Sequence, residues 1–126
     1  MVRYFKSHGD EIVEEFTPTD GGWIALTNPT ASEIREVANM YDIDVDDLKA
    51  PLDEEERSRI ELEDDYTMVV VDIPVIEQRN DKDWYVTIPM SIILTSKRII
   101  TVCLQDNPVL QGFMEGRVRH FNTAWR

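Results

Sequence analysis

The sequence has one cysteine, Cys103, and no apolar run longer than four residues in 126. A lone cysteine cannot form an internal disulfide, which is typical of proteins from reducing compartments. A helix that spans a bilayer needs about 20 predominantly apolar residues. The first eight residues alternate apolar and polar side chains, unlike a secretion signal. The sequence as given therefore predicts a soluble intracellular polypeptide.

Glycine and histidine are also scarce, with five and two residues. The glycines form no Gly-rich turn of the kind that binds nucleotide phosphates. His8 and His120 are far apart in sequence and Cys103 lies in a predicted core strand, so neither nucleophilic catalysis nor a tetrahedral zinc site is indicated. We expect no enzymatic activity. A site assembled from carboxylates such as Asp72 and Glu77 is the alternative.

Negative charge, by contrast, is abundant and unevenly placed. There are 25 acidic and 13 basic side chains, for a net charge of −12. Residues 30 to 66 alone hold 14 acidic and 4 basic residues, a balance of −10. This charge repels nucleic-acid backbones and anionic lipid surfaces, so we expect neither as a partner. A solvated face, a cation site and a surface for a basic protein remain as interpretations of the acidic stretch.

Apolar spacing predicts a layered α/β domain. Two short strands flank Gly9, and a buried strand spans Trp23 to Leu26. An amphipathic helix follows from Ala31 to Tyr41, and Thr30 with Glu33 fits a capping box at its start. Asp44 is the predicted N-cap of a second, shorter helix.

The second half of the domain predicts four consecutive antiparallel strands. Alternating or Val-rich apolar residues mark Ile60 to Leu62, Tyr66 to Ile76, Trp84 to Leu94 and Ile99 to Leu104. Polar segments that join such runs are typical of hairpins. The sheet is therefore expected to be mixed and largely antiparallel, with the strand order left open.

Apolar residues with helical spacing lie at the C-terminal end of the sequence. Apolar residues recur at steps of four, four, three and four after Pro108, at Leu110, Met114, Val118, Phe121 and Trp125. This spacing predicts a C-terminal amphipathic helix. Gly112 and Gly116 are interpreted as small residues that allow close helix packing, so no stop signal is expected before Arg126. We therefore expect the 126 residues to be a fragment of a longer protein.

The acidic stretch superficially matches a calcium-binding loop. Asp42, Asp44 and Asp46 have the spacing of the first three ligands, and Asp53 stands at position twelve. Position six is Asp47, however, where such a loop requires glycine for a sharp turn. A helix cap at Asp44 explains the same residues with ordinary geometry, so no loop of this type is expected.

Two further acidic runs, Asp53 to Glu56 and Glu61 to Asp65, offer carboxylates that Mg²⁺ accepts while it retains several waters. The first run also predicts a helical turn after Pro51. Charge runs are more often solvated faces, so both interpretations stay open here.

The order of these elements resembles a known family. The run Leu52 to Glu61, LDEEERSRIE, precedes Asp65-Tyr66 and a Val-rich strand. This block is similar to the conserved block of the N-terminal cytoplasmic domain of CorA-type magnesium and divalent-cation transporters. The strand Trp23 to Leu26 before Asn28-Pro29, the paired strands near the C-terminus and the closing helix resemble further elements of that domain. The resemblance covers essentially the whole chain.

The resemblance implies an α/β/α sandwich over residues 1–126 as a single domain. It also implies that a longer protein continues through a stalk helix to two membrane spans with a Gly-Met-Asn motif. Such a protein would be a homopentameric channel, with this domain on the cytoplasmic face of the cell membrane. Its partners would be other copies of itself and its own membrane region. The domain would contribute to assembly and couple cytoplasmic Mg²⁺ to gating.

Two departures from the family pattern concern the basic motif and the metal ligands. Arg57-Ser58-Arg59 stands where the family has Arg-Pro-Arg or Arg-Pro-Lys, and Lys49-Ala50 stands where some members place a Glu-Asp pair that binds regulatory Mg²⁺ between subunits. The metal candidates that remain nearby are the following carboxylates: Asp46, Asp47 and Asp53. Acidic faces that repel at low Mg²⁺ and are bridged at high Mg²⁺ would shift a closed/open equilibrium. The alternative is a free-standing acidic interaction module without a transport role.

Overall fold

Seven strands pair into one sheet, and the computed structural model describes residues 1–124. The strands are β1 (Val2–His8), β2 (Glu11–Glu15), β3 (Gly22–Thr27), β4 (Arg59–Leu62), β5 (Tyr66–Arg79), β6 (Lys82–Thr95) and β7 (Arg98–Cys103). The helices are α1 (Ala31–Tyr41), α2 (Val45–Lys49) and α3 (Pro108–Met114), and a 3₁₀ turn (Ala50–Leu52) follows α2.

The strand order is β2-β1-β3-β7-β6-β5-β4. All neighbouring strands are antiparallel except β3 and β7, which pair in parallel from Gly22 opposite Arg98 to Thr27 opposite Cys103. The predicted four-strand meander and the mixed, largely antiparallel sheet are confirmed. The parallel pair joins the N-terminal strands to the meander, so it makes one sheet from two distant parts of the chain.

Local capping defines the two N-terminal helices as predicted. The Thr30 hydroxyl accepts a hydrogen bond from the Glu33 N–H at 3.1 Å, and Glu33 accepts one from the Thr30 N–H at 2.9 Å. Asp42 ends α1 in the left-handed region, with φ 55°. Asp44 then caps α2 by accepting from the Asp46 N–H at 2.9 Å. Because Asp42 and Asp44 serve the helix ends, no calcium-loop geometry forms.

The sheet has a hydrophobic core on each face. The first face lies under α1 and α2, and its most buried residues are Ile24, Leu26, Ile34, Leu48, Met68, Val70, Ile93, Ile100 and Val102. The second face lies under α3, where Leu110 and Met114 pack with residues of the sheet: Phe5, Trp23, Ala25, Ile73, Met90, Ile99 and Cys103. The predicted α/β/α layering is therefore observed.

The C-terminal helix is much shorter than the stripe predicted. It ends at Met114, because Gly116 takes φ 72° and the chain reverses through a hydrogen bond from the Arg117 N–H to the Gly112 carbonyl at 2.9 Å. Glycine in this conformation is a common helix terminator. The prediction that Val118 continues the helix was wrong, since Gly116 is a stop signal there.

The segment after α3 is held against the sheet as a strap. Phe121 packs edge-on against Trp23, with ring centroids 6.0 Å apart. Thr123 is fully buried; its hydroxyl donates to the Gly21 carbonyl at 2.7 Å, and its N–H donates to the Ser7 hydroxyl at 3.0 Å. Phe121 thus packs on the second face without being helical. Trp125, the last residue of the predicted stripe, lies outside the described residues.

Two smaller differences concern the meander and the turn before it. Strands β5 and β6 run to a two-residue turn at Asn80-Asp81, both with positive φ, so the hairpin is longer than predicted. Asp53 to Glu56 form a turn and not the helical turn expected there. Within residues 1–124, no helix combines the length and apolar character that a bilayer crossing requires.

Candidate metal site

Three carboxylates converge where α2 meets the edge strand β4. Asp47, Glu61 and Glu63 each offer an oxygen, and these oxygens all lie within 4.8 Å of one another. Glu61 pairs with Met68 of the first-face core, so strand alternation directs Glu61 to the same side as α2. Asp47 and Glu61 are half-buried and Glu63 is exposed. We refer to these three residues as the carboxylate cluster.

Tyr66 holds Asp47 in position within the carboxylate cluster. Its hydroxyl donates to the Asp47 carboxylate and accepts from the Asp44 N–H at 3.3 Å. Burial, followed by the hydrogen bond to the Asp47 carboxylate, raises the pKa of Tyr66 well above its ordinary value. The phenol therefore stays protonated at neutral pH and holds the Asp47 side chain on the side of β4.

Arg59 supplies positive charge at one side of the cluster. Its guanidinium donates to Glu61 at 2.7 Å and also pairs with Glu56. The hydrogen bond to Glu61 is the largest cause of a raised Arg59 pKa. Arg59 thus compensates Glu61 but shares its charge with Glu56, so the cluster remains electrostatically negative.

The surroundings of Glu63 raise its pKa. Partial loss of water contact, then repulsion by the Asp47 and Glu61 carboxylates, raises that pKa. Because Glu63 is exposed, the repulsion is the cause that matters for a cation. A divalent ion placed among the three oxygens would relieve it.

The chemistry of the donors fits Mg²⁺. All three ligands are hard carboxylate oxygens, and Mg²⁺ commonly binds through a few carboxylates while retaining several waters. A depression of about 360 Å³ borders Glu63 and is lined further by Asp44, Asp64 and Tyr66. Glu63 is the cluster carboxylate that lines this depression.

The structure brings only one of the three predicted metal ligands into this cluster. Asp47 joins Glu61 and Glu63, whereas Asp46 is exposed on α2 outside it. Asp53 is exposed in the turn after the 3₁₀ segment, where its carboxylate accepts from the Glu55 N–H at 3.0 Å. A metal role for these three residues stays a prediction.

In the sequence Glu61 and Glu63 stand out only as members of an acidic run. Their alternation within a predicted strand shows that they share a face, which is a usable signal. The sequence leaves the strand order open, so it does not show that β4 is an edge strand beside α2. The pairing of β4 with β5 brings the two glutamates to Asp47.

The carboxylates considered as an enzyme site do not converge. Asp72 and Glu77 lie five residues apart in the extended strand β5, so their side chains point to opposite faces. Glu77 is paired with Arg79 at 2.6 Å. Lys49 and Ala50, which the resemblance aligns with a Glu-Asp pair of some family members, lie at the end of α2 and in the 3₁₀ turn.

Comparison with protein families gives a match to the model described as CorA-like Mg²⁺ transporter protein, over residues 20–120. A comparison with curated protein sequences gives no significant match.

Solved structures share the fold. The complete CorA magnesium transporter from Methanocaldococcus jannaschii is 18% identical, with a TM-score of 0.69 over 90% of this chain and 35% of that chain. The soluble domain of CorA from the same organism is 19% identical, with a TM-score of 0.69 over 94% and 48%. The full-length CmaX protein is 10% identical, with a TM-score of 0.68 over 98% and 41%. The chain thus spans about a third to a half of these structures.

Proposed function

The chain belongs to the CorA-like Mg²⁺ transporter family, and we propose that it is the cytoplasmic regulatory and assembly domain of a longer magnesium transporter. The observation that carries the proposal is the family match over residues 20–120, supported by the shared fold of the CorA soluble domain. The longer protein would be a homopentamer in the cell membrane. This domain would contact its other copies and its own membrane region, and would catalyse no reaction.

The longer protein is tested first by reading the gene past Arg126. Two apolar spans and a Gly-Met-Asn motif within the next 200 or so residues, a domain-sized length, are the expected result. A stop codon directly after Arg126 would exclude the transporter. It would then favour the free-standing acidic module, for which the −10 balance of residues 30–66 is the supporting observation.

We propose further that cytoplasmic Mg²⁺ acts on this domain through the carboxylate cluster. Asp47 belongs to α2, whereas Glu61 and Glu63 belong to β4 and the residue just beyond it. A bound ion would tie the helix to the sheet edge, and its loss would leave mutual repulsion between them. Mg²⁺ would then favour the conformation in which the three carboxylates lie close together. The size of the shift depends on how much more tightly Mg²⁺ binds that conformation than one in which they are apart. Asp46 and Asp53, exposed nearby, would act between subunits if acidic faces meet in the pentamer.

Calorimetric Mg²⁺ titration of the 126-residue chain tests the site directly. Asp47→Asn removes a cluster ligand, and Asp46→Asn is the matched control because it removes the same charge from the neighbouring position of the same helix. We expect Asp47→Asn to weaken Mg²⁺ binding about tenfold or more, with Asp46→Asn close to the parent chain. Equal affinities for the two variants would contradict a site at the cluster.

Transport by the longer protein tests the regulatory role. Inhibition of Mg²⁺ uptake by internal Mg²⁺ should shift to higher concentration in Asp47→Asn and Glu63→Gln. Neutralising Asp46, Asp47 and Asp53 together tests the contacts between subunits in the same assay. Inhibition unchanged in all of these variants would overturn the regulatory coupling while leaving the transport function in place.

A further inference from the structure

A buried hydroxyl on the first face of the sheet has no hydrogen-bond partner in the protein. Ser91 of β6 is fully buried, and within residues 1–124 its Oγ is the buried side-chain polar atom that lacks such a partner. The register places Ser91 between Val70 of β5 and Val102 of β7, which both belong to the first-face core. A buried hydroxyl without a partner costs free energy, because it has given up its hydrogen bonds to water.

The 3₁₀ turn after α2 packs on this part of the sheet. The turn contacts both β6 and β7, and its Pro51 is fully buried. Leu48, near the end of α2, is fully buried in the same core. We refer to residues 45–52, which comprise α2 and the 3₁₀ turn, as the α2 segment. Ser91 shares the first face with the buried residues of this segment, so its hydroxyl lies in the layer that the α2 segment helps to cover.

Few contacts fix the α2 segment to the sheet. Leu48 and Pro51 are buried, whereas its other residues are half-buried or exposed. Among the residues that the structure describes, the hydrogen bond that joins the segment to the sheet runs from the Tyr66 hydroxyl to Asp47. A helix of five residues has little stability of its own. Segments with so few buried contacts open at low cost in free energy.

The α2 segment lies between two places where the backbone turns. Asp42, just before it, has φ 55°. Residues 53–55, just after it, form a turn. Hinges are commonly a few residues at the ends of elements that absorb changes in backbone angles. These two turns are therefore the points at which the α2 segment can move while α1 and β4 keep their positions.

We propose that the α2 segment is a lid that opens within the folded domain, and that the Ser91 hydroxyl sets how often it opens. In the open state water reaches Ser91 and supplies the hydrogen bonds that the protein does not. Opening thus removes the cost of the buried hydroxyl, so serine at position 91 favours the open state more than alanine would. Buried polar groups without partners are exceptions in native structures, and stored free energy of this kind is one reason for them.

The lid deepens the proposed function, on which only its response to Mg²⁺ rests. Asp47 lies on the lid and Glu61 lies on β4, so an ion held by the carboxylate cluster would keep the lid closed. Ser91 would oppose the ion, because its hydroxyl favours the open state. The hydroxyl would therefore raise the Mg²⁺ concentration that closes the lid. Opening itself requires no metal.

Amide hydrogen exchange of the 126-residue chain without Mg²⁺ tests the lid. Ser91→Ala removes the hydroxyl, and Ser96→Ala is the matched control because Ser96 is exposed in the turn between β6 and β7. The amides to follow are those that form the hydrogen bonds of α2: Asp47, Leu48 and Ala50. We expect them to exchange about tenfold more slowly in Ser91→Ala than in the parent chain, and at the parent rate in Ser96→Ala.

Unchanged or faster exchange of these three amides in Ser91→Ala would overturn the proposal. It would mean that a buried water already satisfies the hydroxyl, or that opening does not expose it. Slower exchange confined to the strands would overturn the proposal as well, since the substitution would then act only against global unfolding. If Ser91→Ala does not fold, Ser91→Cys replaces it with the same expected direction, because a thiol is a weaker hydrogen-bonding group.

The same measurement at saturating Mg²⁺ separates the lid from the metal site. Mg²⁺ should slow exchange of the lid amides further in the parent chain and have little effect in Asp47→Asn. If Ser91→Ala slows these amides and Mg²⁺ does not, the lid stands and the proposed metal role fails. If Mg²⁺ slows them and Ser91→Ala does not, the proposal for Ser91 fails and the metal site stands.

Discussion

The two faces of the sheet are built from alternating residues of the same strands, yet they are closed in different ways. The first face is covered by α1 and α2, which follow one another directly and carry their own caps. The second face is covered by the seven-residue α3 and a strap, and it leaves Ile60 and Leu62 exposed. The comparison teaches that local signals suffice to define the helices of the first layer, while the second layer depends on elements distant in sequence.

The largest expected effect is the difference in stability loss between a buried residue of the first face and an exposed residue of the second. Leu48 is fully buried under α2, so Leu48→Ala should lower the free energy of unfolding by about 2–5 kcal/mol through lost burial and a cavity. Leu62 is 81% exposed on the second face, so Leu62→Ala should change the free energy of unfolding by less than about 0.5 kcal/mol in the 126-residue chain. Urea unfolding measures both. Similar losses of unfolding free energy in the two variants would mean that Leu62 is buried in the 126-residue chain.

The next effect concerns the cap that positions the first layer. Thr30→Ala removes the hydroxyl that accepts from the Glu33 N–H and should cost about 1 kcal/mol of unfolding free energy. Thr17→Ala, at an exposed position in the loop between β2 and β3, is the control and should cost much less. If Thr30→Ala is as mild as its control, the capping box does not stabilise α1 in the folded domain.

A pair of glycine substitutions tests how α3 ends on the second face. Neither Gly112 nor Gly116 has an atom within 4 Å of a Cβ added there, so only backbone preference differs. Gly112→Ala, inside the helix, should stabilise by about 0.5–1 kcal/mol, and Gly116→Ala, at φ 72°, should destabilise by about 1 kcal/mol. Thermal unfolding with both variants checks the signs. Stabilisation by both would indicate the longer helix that the stripe predicted.

The smallest effect is electrostatic and lies where the first layer meets β4. The raised pKa of Glu63 means that ionisation is less favourable in the folded chain, so stability falls as pH rises through that pKa. Glu63→Gln should therefore slightly raise the unfolding midpoint at pH 7 without Mg²⁺, and the gain should vanish in acid below the unfolded pKa near 4.5. Added Mg²⁺ should stabilise the parent chain more than the variant. A gain that persists in acid would point to packing and not to charge.

Much of the fold followed from residues close together in sequence. The Thr30 and Asp44 caps, the strand alternation in the meander and the buried Trp23 strand were all predicted, because each depends on neighbours a few positions away. The apolar spacing after Pro108 predicts too long a helix, because Gly116 ends it at Met114. Phe121 shares a spacing with Leu110 but reaches the second face through a loop, whereas Val118 is exposed.

The sequence predicts a carboxylate metal site in the acidic stretch, but it does not predict which three carboxylates come together. The sequence predicts Asp47 as a ligand, but it shows Glu61 only as part of an acidic run. Their convergence needs β4 at the sheet edge and α2 on the first face, and both positions result from long-range strand pairing. Asp46 and Asp53 lie in the same acidic stretch as the three cluster carboxylates, yet both are exposed to solvent outside the cluster.

The sequence by itself determined the helix caps, the alternation of the strands, the concentration of charge in residues 30–66 and the resemblance to CorA-type domains. Only the tertiary structure decided that β3 pairs in parallel with β7, that α3 stops at Met114 and that three carboxylates converge beside Tyr66. The physical reason is range. Capping and periodicity act over a few residues of one chain segment, whereas strand order and the meeting of charges depend on which distant segments bury their apolar faces together.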